Sequence, residues 1–306
     1  MEIRSWLSES SKHIRRDGIK GVKKSSRPIY HKILSQFGRL QTGTPIYQAD
    51  WDVLIVLDAC RFDLMNEVEQ EYDFISNVER YRSVDTATER WMQKNFVEEY
   101  QREMESTLYV CGNPFSETVL SGDELKHLIE VWRTDWESPG TVPPRAITNE
   151  VIRQSQETEY DRVIVHYMQP HCPFISRPEM SKGKDVQKFG KQDWRDVWEL
   201  YRDGELERDT VWEAYKDNLR LVLDEVRIVL ENIDAENVVI TSDHGNAIGE
   251  WGIYGHPPGL PLDCLRVVPW IQTEAENTGS YTPPKKEDSQ IEVNRDDQLK
   301  ALGYKS

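Results

Sequence analysis

The sequence lacks any long hydrophobic run. No apolar stretch among its 306 residues approaches the roughly 20 residues that a helix needs to cross a bilayer. The first ten residues, MEIRSWLSES, also lack the apolar core of a secretory signal. These two absences argue against a membrane-spanning or exported chain. We therefore expect a cytoplasmic protein.

Cysteine is scarce. The four cysteines are far apart in the sequence and form no CxxC pair. This spacing argues against a disulfide framework and against a structural zinc site built from thiolates. It fits a chain that works in a reducing compartment.

Positive charge is low and unevenly distributed. The net charge is −16, which makes nucleic acid an unlikely ligand. Residues 1–41 nevertheless hold ten Lys and Arg against three acidic residues. We expect residues 1–45 to form a basic arm with an amphipathic helix. The apolar face predicted for that helix contains Ile29, Ile33, Leu34, Phe37 and Leu40.

Two roles remain open for the arm. Its helix could dock on the main domain. Alternatively, its basic face could contact an anionic membrane, which would place the protein at the periphery of the inner membrane surface.

Short, continuously apolar runs alternate with helical patterns from Trp51 onward. The runs include DVLIVLD, TLYVCG, DRVIVHYMQ and NVVITSD. Continuous apolar strands are typical of parallel sheets covered on both faces. The pattern predicts an α/β fold, a three-layer sandwich with a mostly parallel central sheet flanked by helices. We place this domain at residues 46–275, with a charged excursion at about 176–206 and a tail at 276–306 that ends in a short helix.

Polar side chains follow three of the apolar runs. Asp58 ends the first, His171 lies just after the third, and Asp243 with His244 ends the fourth. The carboxyl ends of parallel strands meet at one edge of a sheet, so these groups should lie close together. His256, in YGHPPG, is a further candidate. Carboxylate and imidazole ligands suit a divalent ion such as Zn²⁺ or Mn²⁺.

The order of these motifs resembles the alkaline phosphatase superfamily, in particular its sulfatase-like branch of hydrolases and transferases. The resemblance is carried by LIVLDACRFD, SVDTATERW, HYMQPHCPF, TSDHGNAIGEWGIYGHPPG and LRVVPWI. It covers about residues 50–272, together with QLKALGY near the end, and DHG with its downstream GH is the most specific part.

The resemblance implies roles for individual residues. Asp58, Asp243 and His244 match the family's metal ligands. His171 matches the PHxP histidine near the bound anion, and His256 matches the late GH histidine. These two histidines would contact the anion, protonate the leaving group or hold a second metal. The implied cofactor is a divalent ion, Mn, Zn, Ca or Mg, and one tightly bound ion is expected.

The nucleophile implied by the resemblance is Thr88, which would also contact the metal. Thr88 precedes a helical stretch, and a helix N-terminus favours an oxyanion. Thr86 and Ser83 remain alternatives for the nucleophile, and an N-cap role is the alternative for Thr88 itself. Sulfatases of the family convert a Cys or Ser in a C/S-x-P-x-R motif to formylglycine, and no cysteine here fits that motif.

Two positions depart from the family pattern. Asn246 follows DHG where an acid is common. Tyr167 stands four residues before His171, where two-metal members carry Asp. These departures favour one metal over two.

We therefore expect a metal-dependent hydrolase or transferase that acts on phosphate or sulfate esters through a covalent threonine intermediate. A sulfatase with a non-formylglycine nucleophile is one alternative. A catalytically silent protein that binds anionic glycans or lipid headgroups is another. The expected partner is an anionic ester, on a glycan or a lipid-linked group.

Overall fold

The computed structural model describes residues 19–38, 42–120, 125–158, 160–180 and 195–285. Its strands are β1 Val53–Leu57, β2 Glu79–Arg82, β3 Thr107–Cys111, β4 His127–Glu130, β5 Arg162–Tyr167, β6 Ala235–Thr241, β7 Ala247–Ile248, β8 Tyr254–Gly255 and β9 Val267–Ala275. Its helices are α1 Ile19–Gly38, α2 Phe62–Val68, α3 Thr88–Asn95, α4 Gln101–Glu105, α5 Ser116–Val119, α6 Pro144–Glu157, α7 Val197–Arg202, α8 Arg208–Leu230 and α9 Asp263–Arg266. Short 3₁₀ turns lie at Ile46–Gln48, Glu69–Glu71, Glu98–Tyr100, Val131–Arg133, Pro178–Met180 and Glu250–Gly252.

Seven strands form one sheet in the order β2-β9-β6-β1-β5-β3-β4. The pairs among β6, β1, β5, β3 and β4 are parallel, whereas β9 runs antiparallel to both β6 and β2. The prediction of a mostly parallel α/β sheet is confirmed. β1 lies between β6 and β5, so the ends of these three strands are adjacent.

Strand β1 is apolar throughout because both of its faces are covered. Val53, Ile55 and Leu57 belong to a core that includes side chains of α2, α6 and α8. Leu54 and Val56 belong to a second core on the other face, with side chains of α3. Alternate residues of one strand therefore enter different cores, as a three-layer sandwich requires.

Helix α1 contacts the domain through one narrow face. Leu34 is buried in a small cluster with Ile253 and Leu260. At Gly38 a Cβ would lie 1.9 Å from the carbonyl oxygen of Gly259, so only glycine permits this close approach. Other members of the predicted apolar face remain exposed, because the helix turns them away from that contact: Ile29 at 42%, Ile33 at 55% and Phe37 at 58%.

Some predicted segments lie outside the described residues. These are Leu40, most of the arm before α1, residues 181–194 of the charged excursion, and the C-terminal helix. The domain boundaries at residues 45 and 275 stay predictions. Within the part of the chain that is described, no helix is both long and apolar enough to cross a membrane.

Candidate active site

Asp58 lies directly after β1 at the carboxyl edge of the sheet. Its backbone N–H donates to Tyr167 O at 3.2 Å, which fixes it beside the end of β5. Its Oδ2 accepts a hydrogen bond from Asn113 Nδ2 at 2.8 Å. Its Oδ1 is buried and has no hydrogen-bond partner. A buried carboxylate oxygen in this state is suited to a cation.

Asp243 is held at the end of β6 by two backbone donors. Its Oδ1 accepts from the N–H of Ala59 at 3.0 Å and from the N–H of His244 at 2.8 Å. Its Oδ2 accepts from Thr88 Oγ1 at 2.7 Å. One oxygen is therefore used to fix the carboxylate, while the other points into the site.

Thr88 begins α3 and lies beside both members of the Asp-His pair. Its Oγ1 is 3.2 Å from His244 Nε2. His244 Nε2 is 3.3 Å from Asp243 Oδ2 and 3.9 Å from Asp58 Oδ1. His244 Nδ1 is within 2.8 Å of Gly245 O, which orients the ring so that Nε2 faces the site.

The three metal-capable side chains form a compact set. One ligand atom from each of Asp58, Asp243 and His244 lies within 4.8 Å of the others, and all three residues are buried. Two carboxylates and one imidazole are ligands that Zn²⁺ and Mn²⁺ accept. The Thr88 hydroxyl adds a fourth donor atom, an oxygen, next to them. These donors, with the unsatisfied oxygen of Asp58, fit one divalent ion.

The environments of the Asp58 and Asp243 carboxylates shift their pKa values in opposite directions. Burial, and then the nearby charge of Asp243, raise the pKa of Asp58 well above its ordinary value. Burial alone would raise the pKa of Asp243 too, but the His244 and His166 rings and the hydrogen bonds that it accepts hold its pKa below the ordinary value. Two such carboxylates in one buried site are mutually repulsive unless a cation lies between them.

His171 and His256 meet across the site although 85 positions separate them in the sequence. Their Nε2 atoms are 2.9 Å apart. The His256 ring also stacks on His244, with ring centroids 4.3 Å apart. The His171 backbone N–H donates to Asp58 O at 3.0 Å. Burial, followed by the neighbouring histidines, lowers the pKa of His256 well below its ordinary value.

The alternative nucleophiles make different contacts. Thr86 Oγ1 donates to Pro257 O at 2.7 Å and so holds the loop that follows His256. Ser83 Oγ donates to the backbone carbonyl of Asp243. Both hydroxyls are bonded to backbone carbonyls, whereas Thr88 contacts the Asp243 carboxylate and the His244 ring.

Tyr167 and Asn246, the two residues that depart from the family pattern, make hydrogen bonds to other parts of the fold. Tyr167 is buried, and its OH is 2.8 Å from Thr148 Oγ1. The carbonyl of Asn246 accepts from Arg61 Nη1 at 2.8 Å. Arg61 also pairs with Asp63 at 2.5 Å. Among the residues that the structure describes, the Asp58, Asp243 and His244 set is the one candidate metal cluster.

Asn113 and His166 were not predicted to belong to the site. Asn113 follows β3, and the same strand-end argument that found Asp58 would have found it. His166 is a β5 residue whose Nδ1 lies 2.6 Å from Tyr109 OH and whose buried Nε2 has no hydrogen-bond partner. Burial lowers the pKa of His166 to about 4. The sequence did not mark His166 as a site residue, because His166 lies inside an apolar run.

Comparison with known proteins identifies the fold. The chain superimposes on the soluble domain of lipooligosaccharide phosphoethanolamine transferase A from Neisseria meningitidis with a TM-score of 0.53 and 17% identity, covering 77% of this chain and 80% of that one. The full integral membrane form of that transferase gives 0.51 and 13%, covering 90% of this chain and 60% of that one. The chain has the fold of these transferase domains. The resemblance in the motifs is thus confirmed at the level of the fold, and the neighbours are enzymes.

A third match is the C-terminal periplasmic domain of phosphoethanolamine transferase EptC from Campylobacter jejuni, with a TM-score of 0.46 and 17% identity, covering 82% of this chain and 87% of that one. A putative sulfatase from Bacteroides thetaiotaomicron is among the further matches. No protein-family model and no curated protein sequence matches the chain.

The expected cytoplasmic location is wrong. The similar transferase domains whose location is stated, from Campylobacter jejuni and Escherichia coli, are periplasmic. The inference failed because it relied on the absence of a hydrophobic leader and on cysteine content, neither of which reports where a domain of this fold works.

Proposed function

We propose that this chain is a metal-dependent hydrolase or transferase acting on phosphate esters, with Thr88 as the nucleophile. The observation that carries the proposal is the contact of Thr88 Oγ1 with Asp243 Oδ2 at 2.7 Å and with His244 Nε2 at 3.2 Å, beside the unsatisfied oxygen of Asp58. A hydroxyl at the start of a helix, surrounded by metal-capable side chains, is the arrangement that nucleophilic catalysis at phosphorus needs.

Asp58, Asp243 and His244 would hold one divalent ion next to Thr88. When bound, such an ion lowers the pKa of a nearby hydroxyl and offsets negative charge on the reacting ester. Asp243 also accepts the hydrogen bond of the Thr88 hydroxyl, so its Oδ2 orients the Thr88 oxygen. Asn113 holds the other carboxylate, that of Asp58, in position.

The first step forms a bond between Thr88 Oγ and phosphorus while the bond from phosphorus to the leaving oxygen breaks. The Thr88 proton is relayed to the leaving oxygen. The His171–His256 pair, in which the two Nε2 atoms are 2.9 Å apart, carries this proton from Thr88 to the leaving oxygen. Water or an acceptor alcohol then attacks the phosphothreonine, giving hydrolysis or transfer.

Phosphate is favoured over sulfate because the chain lacks the formylglycine motif. The soluble domain that superimposes with a TM-score of 0.53 is named as a lipooligosaccharide phosphoethanolamine transferase. We therefore propose an anionic ester on a glycan or a lipid-linked group as the substrate. Contact of the basic arm with a membrane surface is a further part of this proposal, supported by the exposed Ile29, Ile33 and Phe37 of α1.

The test is turnover of matched chromogenic esters, namely a phosphate monoester, a phosphodiester and a sulfate ester. Each is assayed with Mn²⁺, Zn²⁺, Mg²⁺ or Ca²⁺. We expect metal-dependent release from a phosphate ester, lost in Thr88→Ala and Asp243→Ala. Asp263→Asn is the matched control, because Asp263 pairs with Arg82 on the surface and its side chain is 64% exposed.

Preference for the sulfate ester would favour the sulfatase alternative. Stoichiometric metal binding without turnover of any ester would contradict the proposal and favour a protein that only binds anionic groups.

A further inference from the structure

A second, positively lined cavity lies next to the candidate active site. Its volume is about 430 Å³, which is within the range of small-molecule sites. Helix α1 forms one wall, through His31, Lys32 and Ser35. Arg90 and Lys94 of α3 line another side, with the loop that contains Pro257 and Pro258.

The cavity adjoins the active site through two continuous pieces of chain. Thr88 begins the same helix that carries Arg90 two residues later. His256 is followed directly by Pro257. The Thr86 hydroxyl joins these two pieces by its bond to Pro257 O at 2.7 Å. The lining of the cavity and the Thr88 site therefore share α3 and the loop after His256.

The charges in the cavity are unbalanced in favour of cations. Its carboxylate, Asp85, accepts from Lys94 Nζ at 2.7 Å and from the backbone N–H groups of Thr86 and Gly259 at 2.8 and 2.9 Å. Asp85 is thus matched by Lys94. Lys32, Arg90 and Arg266 also line the cavity.

Arg90 is the most available of these cations. Among the described residues it has no hydrogen bond or ion pair, and it is exposed. Its guanidinium lies beside the Pro257–Gly259 loop, since a Cβ added at Gly259 would lie 3.0 Å from Arg90 Nη1. Arg266, in contrast, is buried, and its Nε donates a structural hydrogen bond to Leu260 O at 2.9 Å. Arg90 and Lys32 are therefore the groups that can bind a ligand.

A cationic cavity would favour the binding of an anion to a chain with a net charge of −16. Most of the surface repels an anionic substrate, and a local positive site counteracts that repulsion where the substrate must bind. A guanidinium with free N–H groups is also the side chain best suited to phosphate oxygens.

We propose that this cavity binds a second phosphate-type group of the substrate, held by Arg90 and Lys32. The proposal rests on the proposed function and extends it: the preferred ester carries two separate anionic groups. One is attacked by Thr88, and the other is bound between α1 and the loop after His256.

The first experiment measures binding alone. Inorganic phosphate is titrated into the full, EDTA-treated chain and followed by ³¹P NMR. Without metal, the acidic cluster repels the anion, so the cavity dominates. We expect the Lys32→Gln/Arg90→Gln double variant to bind about tenfold or more weakly. Lys126→Gln is the control, because Lys126 is 59% exposed and pairs only loosely with Glu105, at 3.6 Å. Equal binding by all three proteins would overturn the proposal.

The second experiment asks whether the bound group belongs to the substrate. The metal-loaded chain is assayed with two phosphodiesters that share one leaving group and differ only in a terminal phosphate. We expect wild type to prefer the ester with the extra phosphate, and the ratio of the two kcat/KM values to fall about tenfold in Arg90→Gln while Lys126→Gln keeps it.

A ratio that does not change, despite weaker phosphate binding, would assign the cavity to a free anion and overturn the substrate assignment. No turnover of either ester would contradict the proposed function, whereas the binding measurement would still report on the cavity itself.

Discussion

The first turn of α3 separates two regions of opposite character. Thr88 belongs to a cluster of carboxylates and imidazoles that is buried and acidic. Arg90 belongs to a cavity that is open and cationic. The first region has ligands suited to a metal ion and the second has charges suited to an anion, although Thr88 and Arg90 are only two residues apart in one helix. Under the proposed function, this difference explains how a strongly acidic chain binds an anionic ester.

The two regions also differ in how charge is held. Asp58 and Asp243 are fully buried, so each charge there interacts strongly and must be matched. Arg90 is exposed to solvent, where a single contact with a ligand is worth less. We therefore expect changes in the acidic cluster to have larger effects than changes in the cavity.

The largest effect is expected for Asp243→Asn. The amide keeps the size of the side chain but removes the charge that would attract the metal and that accepts the hydrogen bond of the Thr88 hydroxyl. We expect kcat/KM to fall by about a thousandfold or more and metal affinity to fall with it. Metal titration by calorimetry and the ester assay measure the two losses. Full activity in Asp243→Asn would remove this residue from the site.

Substitutions of Thr88 separate the nucleophile from the metal ligands. Thr88→Ala should lose turnover by about a thousandfold while metal affinity changes far less, because the three metal-capable side chains remain. Thr88→Ser keeps a hydroxyl and should keep measurable activity. The reverse outcome, with Thr86→Ala inactive and Thr88→Ala active, would move the nucleophile to Thr86.

Asp85 gives a pH-dependent prediction for the wall of the cavity. Burial alone would raise its pKa, but Lys94 and the backbone N–H groups hold the pKa below the ordinary value of 3.8. A depressed carboxyl pKa stabilises the fold above its unfolded pKa, and this contribution is lost as the pH falls through the folded pKa. Asp85→Asn should therefore lower the free energy of unfolding by about 1–3 kcal/mol at neutral pH.

The difference between wild type and Asp85→Asn should shrink as the pH falls below about 4, where the wild-type carboxyl takes up a proton. Chemical denaturation at several pH values measures this difference in the free energy of unfolding. Asp73→Asn is the control: Arg227 lowers the pKa of Asp73 as well, but the side chain is 82% exposed, so no measurable change is expected. A difference for Asp85→Asn that is constant with pH would refute the ion-pair explanation.

The smallest effect concerns helix α1, which forms one wall of the cavity. Leu34 is buried, whereas Phe37 is exposed on the same helix. Leu34→Ala should destabilise the docked helix by about 1–2 kcal/mol and speed hydrogen exchange of its amides. Phe37→Ala should change stability by less than about 0.5 kcal/mol. Equal effects would mean that α1 docks through a different face.

The central part of the sheet and much of the candidate site could be predicted because their signals are local. Continuous apolar runs predicted β1, β3, β5 and β6, and the polar residue after three of these strands predicted the cluster. Strands β2 and β4 were missed because they lie at the edges of the sheet and have mostly exposed or half-buried side chains. Sequence periodicity carries little information about such strands.

The cavity could not be predicted, because it depends on contacts between distant segments. Gly38 and Gly259 are ordinary glycines in the sequence, and their close approach is visible only in three dimensions. The amphipathic pattern of α1 was also too broad: it grouped Ile33 with Leu34, although neighbouring helix residues point about 100° apart.

The burial of Thr88 has a consequence for the speed of the reaction. Its side chain has no surface exposed to water, and His244 beside it has none either. An ester in solution can reach this hydroxyl only while the surrounding chain is open, so no turnover can be faster than that opening. His256 stacks on His244, and the next residue, Pro257, accepts a hydrogen bond from Thr86 Oγ1, so this loop is the segment whose motion would set the limit. Turnover should then slow as the solvent is made more viscous, even when the chemical step is unchanged.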